Sequence, residues 1–158
     1  MKPLVIFAAA GLLLSRIAVA DICRINISAD DQMRFDQKVL RIDSGCTEVE
    51  VSFANMGKQS AKVMGHNWVL TRTRDVAPVA VAGMGAGFVN NYQTPGDSRI
   101  IAATKVIGGG ETASVKFSVS SLKSGEDYSF FCSAPGHYSM MKGRFEISAA
   151  SSVARTQT

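Results

Sequence analysis

Ten residues near the C-terminal end, Cys132-Ser-Ala-Pro-Gly-His137-Tyr-Ser-Met-Met141, place a thiol, an imidazole and a thioether within one short stretch. Soft thiolate and thioether ligands favour Cu(I), and imidazole suits both common oxidation states of copper. Two imidazoles and a thiolate in a trigonal array, with a distant methionine sulfur, make the arrangement used for copper electron transfer. The stretch lacks one histidine of that set. The chain has two histidines, and the second is His66, in Met64-Gly-His-Asn-Trp68. The spacing alone also suits a cysteine that merely fills apolar space. A metal reading is favoured because it employs both histidines, because an odd cysteine count leaves one thiol over, and because Pro135-Gly136 supplies a tight turn between the ligands.

The elements that must position these groups begin after a leader. Met1-Lys2 is a basic start, Pro3 to Leu14 is largely apolar, and Ala18-Val19-Ala20 has the small residues of an export cleavage site. Residues 1–20 therefore read as a signal peptide, too short in its apolar run to span a bilayer, which takes about 20 residues. The destination expected is a bacterial periplasm. Removal of the leader leaves 138 of the 158 residues, enough for one domain, and takes away Lys2 and Arg16, lowering the formal charge from +4 to +2. That charge is small and scattered, which excludes a phosphate-tracking, nucleic-acid-binding surface. In an oxidising compartment Cys23 and Cys46 read as a disulfide, worth about 3–4 kcal/mol in the chain-entropy picture. Pairing either of them with Cys132 would destroy the site.

The remaining chain is β-rich. Cys23, Ile25 and Ile27 alternate with Arg24, Asn26 and Ser28; Lys38 to Ile42 forms a second short run; Val49, Val51 and Phe53 alternate with Glu48, Glu50 and Ser52. Trp68 to Leu70, Arg99 to Val106, Val115 to Val119, Tyr128 to Cys132 and Arg144 to Ser148 read as further strands, with Phe145 and Ile147 facing one way. Asp75 to Phe88 differs in texture and predicts a short helix capped near Asp75, with Pro78 in its first turn. Gly83, Gly85 and Gly87 lack the Lys-Ser/Thr or Rossmann context of a phosphate loop. Asn26-Ile-Ser28 matches a glycosylation sequon but lies in a predicted strand. Ala149 to Thr158 reads as a flexible tail. The pattern predicts an all-β antiparallel sandwich or barrel with one helical excursion.

Taken together, Cys132-x₄-His137-x₃-Met141, Met64-Gly65-His66-Asn67-Trp68, the Cys23/Cys46 pair, Asp31-Gln32-Met33, Asp97-Ser98-Arg99 and Phe130-Phe131-Cys132 closely resemble the azurins, small blue copper proteins of the cupredoxin class. The resemblance runs from about Asp21 to Ser148. It implies a Greek-key β-sandwich of about eight strands and one copper ion cycling between Cu(I) and Cu(II). It also implies His66, Cys132 and His137 as equatorial ligands, Met141 rather than Met140 as a weak axial ligand, and the Gly65 carbonyl approaching from the other side. Asn67 is implied to tie the His66 segment to the ligand loop, and the Ala134 N–H to reach the Cys132 sulfur. Some azurins carry two additional histidines, where this chain has Asn55 and Ala103, so pH switching tied to the first is not expected. Ala134 stands in place of a larger aromatic, which alters packing beside the site.

The function expected is one-electron transport by a protein that is not an enzyme, with all ligand positions filled, unlike a catalytic metal site that keeps one open. An apolar patch of Met33, Met64, Ala134, Pro135, Gly136 and Met140 around His137 is expected to dock redox proteins such as c-type cytochromes or a periplasmic reductase. The encounters are transient and the carrier is a monomer. The rival readings are a copper carrier or storage protein and a thiol-dependent enzyme using Cys132 and His137.

Overall fold

The computed structural model describes residues 21–148, so the expectations for the leader at 1–20 and the tail at 149–158 lie outside the described residues. Along the chain run β1 (Ile22–Asp30), β2 (Arg34–Phe35), β3 (Val39–Asp43), β4 (Glu48–Asn55), α1 (Ala61–Met64), β5 (Val69–Arg72), α2 (Val76–Ala86), β6 (Ala102–Ala103), β7 (Thr112–Ser118), β8 (Tyr128–Phe131) and β9 (Lys142–Ser148). The strands form two sheets, ordered β2-β1-β4-β7 and β3-β9-β8-β5-β6.

Period-two alternation turns Ile25, Ile27 and Ala29 of β1 and Val49, Val51 and Phe53 of β4 inward, with Ile27 opposite Phe53. From the other sheet come Leu40, Leu70, Phe130 and Phe145, and Trp68 stacks with Phe130 and Phe117 at 6.2 and 6.4 Å between ring centroids. All four residues of β8 are buried, because the outer face of that strand is covered too. There Phe131 and Val69 pack against Val76, Val79 and Ala80 of α2. The helix starts where the sequence predicts, with Pro78 in its first turn, but the Asp75 side chain makes no capping hydrogen bond. A side chain at Gly83 would overlap the Tyr92 carbonyl, so the helix needs its smallest residue there to lie against the next loop.

Several expectations are corrected. The sandwich is mixed rather than antiparallel, since β1 runs parallel to β4 and β3 parallel to β9. Of the run Arg99 to Val106 only Ala102–Ala103 pairs as a strand; the Gln93 amide takes the Thr104 carbonyl at 2.8 Å, and the Thr104 hydroxyl takes the Trp68 N–H at 3.0 Å. Val119 belongs to a single helical turn after β7. Ile147 keeps the parity of Phe145 but lies at a strand end and is 40% exposed. The turn α1, just before the His66 segment, was not predicted: a four-residue helix carries too little periodicity to read. Cys23 and Cys46 form the disulfide, fastening the start of β1 to the loop before β4.

Candidate metal centre

His66 leaves α1 through Gly65 and joins the Ile107 segment in a two-way backbone bridge, His66 N–H to Ile107 C=O at 3.0 Å and the reverse at 2.8 Å. Gly65 is required for this approach. A side chain there would overlap the Ala61 carbonyl and come within 2.6 Å of Val106 Cγ1. Asn55 closes the same corner, donating from Nδ2 to the Ile107 and Met64 carbonyls at 3.1 and 3.3 Å while Oδ1 accepts the Gly57 N–H at 2.9 Å. Cys132 sits just beyond β8, with its N–H on the Met141 carbonyl at 3.0 Å. The turn between them is closed by His137 N–H to Ala134 C=O at 3.0 Å and Met141 N–H to His137 C=O at 2.8 Å, with Gly136 at φ +80° where a left-handed backbone is needed.

These segments bring three donor atoms together from distant parts of the chain. His66 Nδ1 and His137 Nδ1 lie 3.2 Å apart, and Cys132 Sγ is 3.9 Å from the first and 3.6 Å from the second. The point equidistant from the corners of that triangle is about 2.1 Å from each, within the range of metal–imidazole and metal–thiolate bonds. A copper ion therefore fits the donor set as it stands. His66 and Cys132 are wholly buried, and His137 is half-buried.

Hydrogen bonds orient the donors. His66 Nε2 is 3.0 Å from the Asp30 carbonyl, which can only accept, so the ring carries its proton on Nε2 and turns a bare Nδ1 into the triangle. Asn67 ties the two segments: Oδ1 accepts the Ser133 N–H at 2.8 Å, and Nδ2 donates to Ser133 Oγ at 2.8 Å and to the Asn91 carbonyl at 2.9 Å. The Asn91 side chain in turn accepts the Val106 N–H at 2.9 Å. Burial pushes the Cys132 thiol up to about 11, against the opposing pull of the Asn67 and Ala134 amides on its sulfur. Burial, then the neighbouring His66, takes His137 down to about 4, and burial also lowers His66. Without an ion the site is thus neutral, and a metal cation is what makes its thiolate favourable.

A family model described as copper binding proteins, plastocyanin/azurin family, matches residues 22–148. The chain belongs to that family. It is 50% identical to the azurin of Pseudomonas chlororaphis over 121 residues, 77% of this chain and 94% of that one. It is also 50% identical to azurin-1 of Alcaligenes xylosoxydans xylosoxydans over 125 residues, 79% of this chain and 97% of that one. Among solved structures, the azurin Az-iso2 of Methylomonas sp. strain J superposes with a TM-score of 0.77 at 44% identity, over 80% of this chain and 98% of that one. This member of the azurin family is a blue copper electron carrier, and His66, Cys132 and His137 are the residues its fold brings together as a possible copper site.

The other predicted residues fall nearby with one exception of role. Met141 is fully buried beside Cys132, whereas Met140 is 52% exposed. Met33 and Met64 are partly exposed, and Pro135 and Gly136 are exposed. Ala134, expected to line the docking patch, is only 4% exposed, because its N–H is turned inward to the Cys132 sulfur and its methyl joins the core. The Asp30 carbonyl, Ser133, Asn91 and the buried Asn55 are supports that sequence reasoning missed. Asn55 was the only one with a readable signal, an amide ending an otherwise apolar inward row after Phe53.

Proposed function

We propose that the chain is a periplasmic one-electron carrier in which His66 Nδ1, Cys132 Sγ and His137 Nδ1 hold one copper ion. Met141 and the Gly65 carbonyl would be the further, weaker donors to that ion. The observation that carries this reading is the buried Nδ1–Nδ1–Sγ triangle of 3.2, 3.6 and 3.9 Å. Copper bound there supplies a one-electron couple between Cu(I) and Cu(II). The chain's own residues keep the surroundings fixed while charge changes. The Asp30 carbonyl locks the His66 ring, Asn67 holds the ligand loop against the His66 segment, and two backbone amides face the sulfur. Burial keeps water from the thiolate. Little then has to rearrange when an electron arrives or leaves.

No bond of a substrate is broken in this scheme, and the protein is not an enzyme. A thiol held at about 11 with no surface exposure is the opposite of an activated nucleophile. The electron's way out is the half-buried His137 ring, ringed by Met33, Met64, Pro135, Gly136 and Met140 as the docking patch. Partners are redox proteins such as c-type cytochromes or a periplasmic reductase, met by a monomer in short encounters. The leader-like sequence at 1–20 and the disulfide support the compartment, and among the described residues no helix is long and apolar enough to cross a membrane.

Redox cycling in the presence of a Cu(I) chelator tests the role. A carrier of electrons keeps its copper through repeated reduction and oxidation. Quantitative loss of the ion to the chelator on the first reduction would make the protein a copper carrier or store instead.

A further inference from the structure

The ion pairs of the surface are unevenly spread. Arg24, Arg34, Arg41, Arg72, Arg74, Arg99, Arg144 and Lys116 each have a carboxylate within 4.0 Å. Among the described residues six exposed lysines pair with none: Lys38, Lys58, Lys62, Lys105, Lys123 and Lys142. All but Lys123 lie in the segments that carry or brace the metal ligands. Lys38 Nζ donates to the Met140 carbonyl at 3.2 Å, and Lys142 directly follows Met141. Lys62 is on α1, immediately before Gly65 and His66, and Lys105 is two residues before Ile107, the bridge partner of His66. The Lys58 N–H sits on Asp31 Oδ2 at 2.8 Å, beside the turn that holds Met33.

Of the carboxylates in the same segments, Asp30 is neutralised by Arg34, whereas Asp31, Asp36 and Glu111 accept backbone N–H groups of Lys58, Ser28 and Gly108 and keep their charge, so the five lysines outnumber three free carboxylates. Lys38, whose Nζ reaches the Met140 carbonyl, lines a cavity of about 330 Å³ with Lys142, Arg144, Thr73 and Ser129, the hydroxyls of the last two lying 2.9 Å apart. Exposed lysines around an apolar face favour encounter with a partner surface of opposite charge and disfavour a like-charged one.

We propose that the physiological redox partner presents an acidic rim around its exposed cofactor edge, and that Lys38 and Lys142 receive carboxylates of that rim beside Met140, with Lys58, Lys62 and Lys105 on the other flank. The inference rests on the docking face around His137 and Met140 and adds the charge of what docks there. The lysines steer encounter, and the apolar centre sets contact distance. One electron passes from the reduced protein to a ferric haem, with no bond or proton exchanged.

The test uses the copper-loaded protein and two haem probes of one shape and opposite charge, basic cytochrome c and the same protein with its lysines succinylated. Stopped-flow oxidation is followed from about 10 to 200 mM ionic strength, a range over which screening shortens from roughly 30 to 8 Å. With the acidic probe the rate falls as salt rises, and with the basic probe it rises. Lys38→Glu/Lys142→Glu lowers the low-salt rate with the acidic probe about tenfold or more and flattens its salt dependence. Its visible absorption does not change, and Lys123→Glu, away from this face, changes nothing. Equal salt dependence for the two probes, or an unaffected double variant, overturns the proposal. Met140→Glu separates the two layers. If it slows both probes while they remain indistinguishable in salt dependence, the docking face stands and the lysine assignment falls. If it slows neither, the face itself is wrong and the assignment falls with it.

Discussion

Removing the Asn67 side chain is the most informative single perturbation of the scaffold, because it cuts the link between the two halves of the site without touching a donor atom. Asn67→Ala deletes three hydrogen bonds of 2.8, 2.8 and 2.9 Å. Asn67 and Ser133 are 0% and 1% exposed, so the Ser133 N–H and hydroxyl are left without water as a substitute. The Asn91 carbonyl is half-buried, and solvent can recover part of that loss. At about 1 kcal/mol per hydrogen bond, and more where a buried group is stranded, the variant loses about 2–4 kcal/mol. The assay is urea unfolding of the metal-free protein, followed by the emission of Trp68, which is wholly buried with no partner for its indole N–H. Ser133→Ala and the double variant complete a cycle with clear coupling, since the bond from Asn67 Nδ2 to the Ser133 hydroxyl is lost in either single variant. A loss below about 0.5 kcal/mol, or strict additivity with Ser133→Ala, would refute the reasoning.

Metal uptake near pH 7 releases about one proton per ion: the thiol held at about 11 is protonated beforehand, while both histidines, lowered by burial, are already neutral. Calorimetry in buffers of different ionisation enthalpy reads the number, and none or two would contradict it. Because the folded state holds His137 at about 4, below its ordinary 6.5, its neutral form contributes stability that is lost as pH falls from about 6.5 through 4; melting of the metal-free protein across that window shows the decline. Gly65→Ala forces backbone against the Ala61 carbonyl and costs about 1–3 kcal/mol, with a shifted visible spectrum in the copper form; an unchanged spectrum and melting point would remove the close-approach argument. Cys23→Ser/Cys46→Ser lowers stability by about 3 kcal/mol but leaves the spectrum alone, since Cys23 lies seven residues, about 23 Å of extended strand, from the Asp30 carbonyl that braces His66.

What could be read from the chain was what side-chain chemistry and alternation encode. Cys132, His137 and Met141 announce themselves through spacing, His66 through being the only other histidine, and the rows Ile25-Ile27-Ala29 and Val49-Val51-Phe53 through period two. The strand directions were not legible, because β1 beside β4 and β3 beside β9 are decided by which sheet edge each strand reaches. The run Arg99 to Val106 looks like a strand, yet most of its backbone bonds go to Gln93, Asn91 and Asp97 side chains or to single carbonyls of the β5 segment. The support from Asp30 is a backbone carbonyl, which every residue possesses, so no residue type could mark it. Ala134 was expected both to offer its N–H to the sulfur and to line the docking patch; its methyl instead packs into the core and leaves it only 4% exposed.

The central claim is that His66, Cys132 and His137 together hold one copper ion that changes valence in place. Titration of the metal-free protein with Cu(II), recorded in the visible for the natural chain and for Cys132→Ser, tests it most directly. An intense blue colour complete at one equivalent, bleached by reductant, restored by oxidant and absent from Cys132→Ser is the predicted result. A natural chain that stays colourless at one equivalent, or a Cys132→Ser variant that turns the same blue, would contradict it.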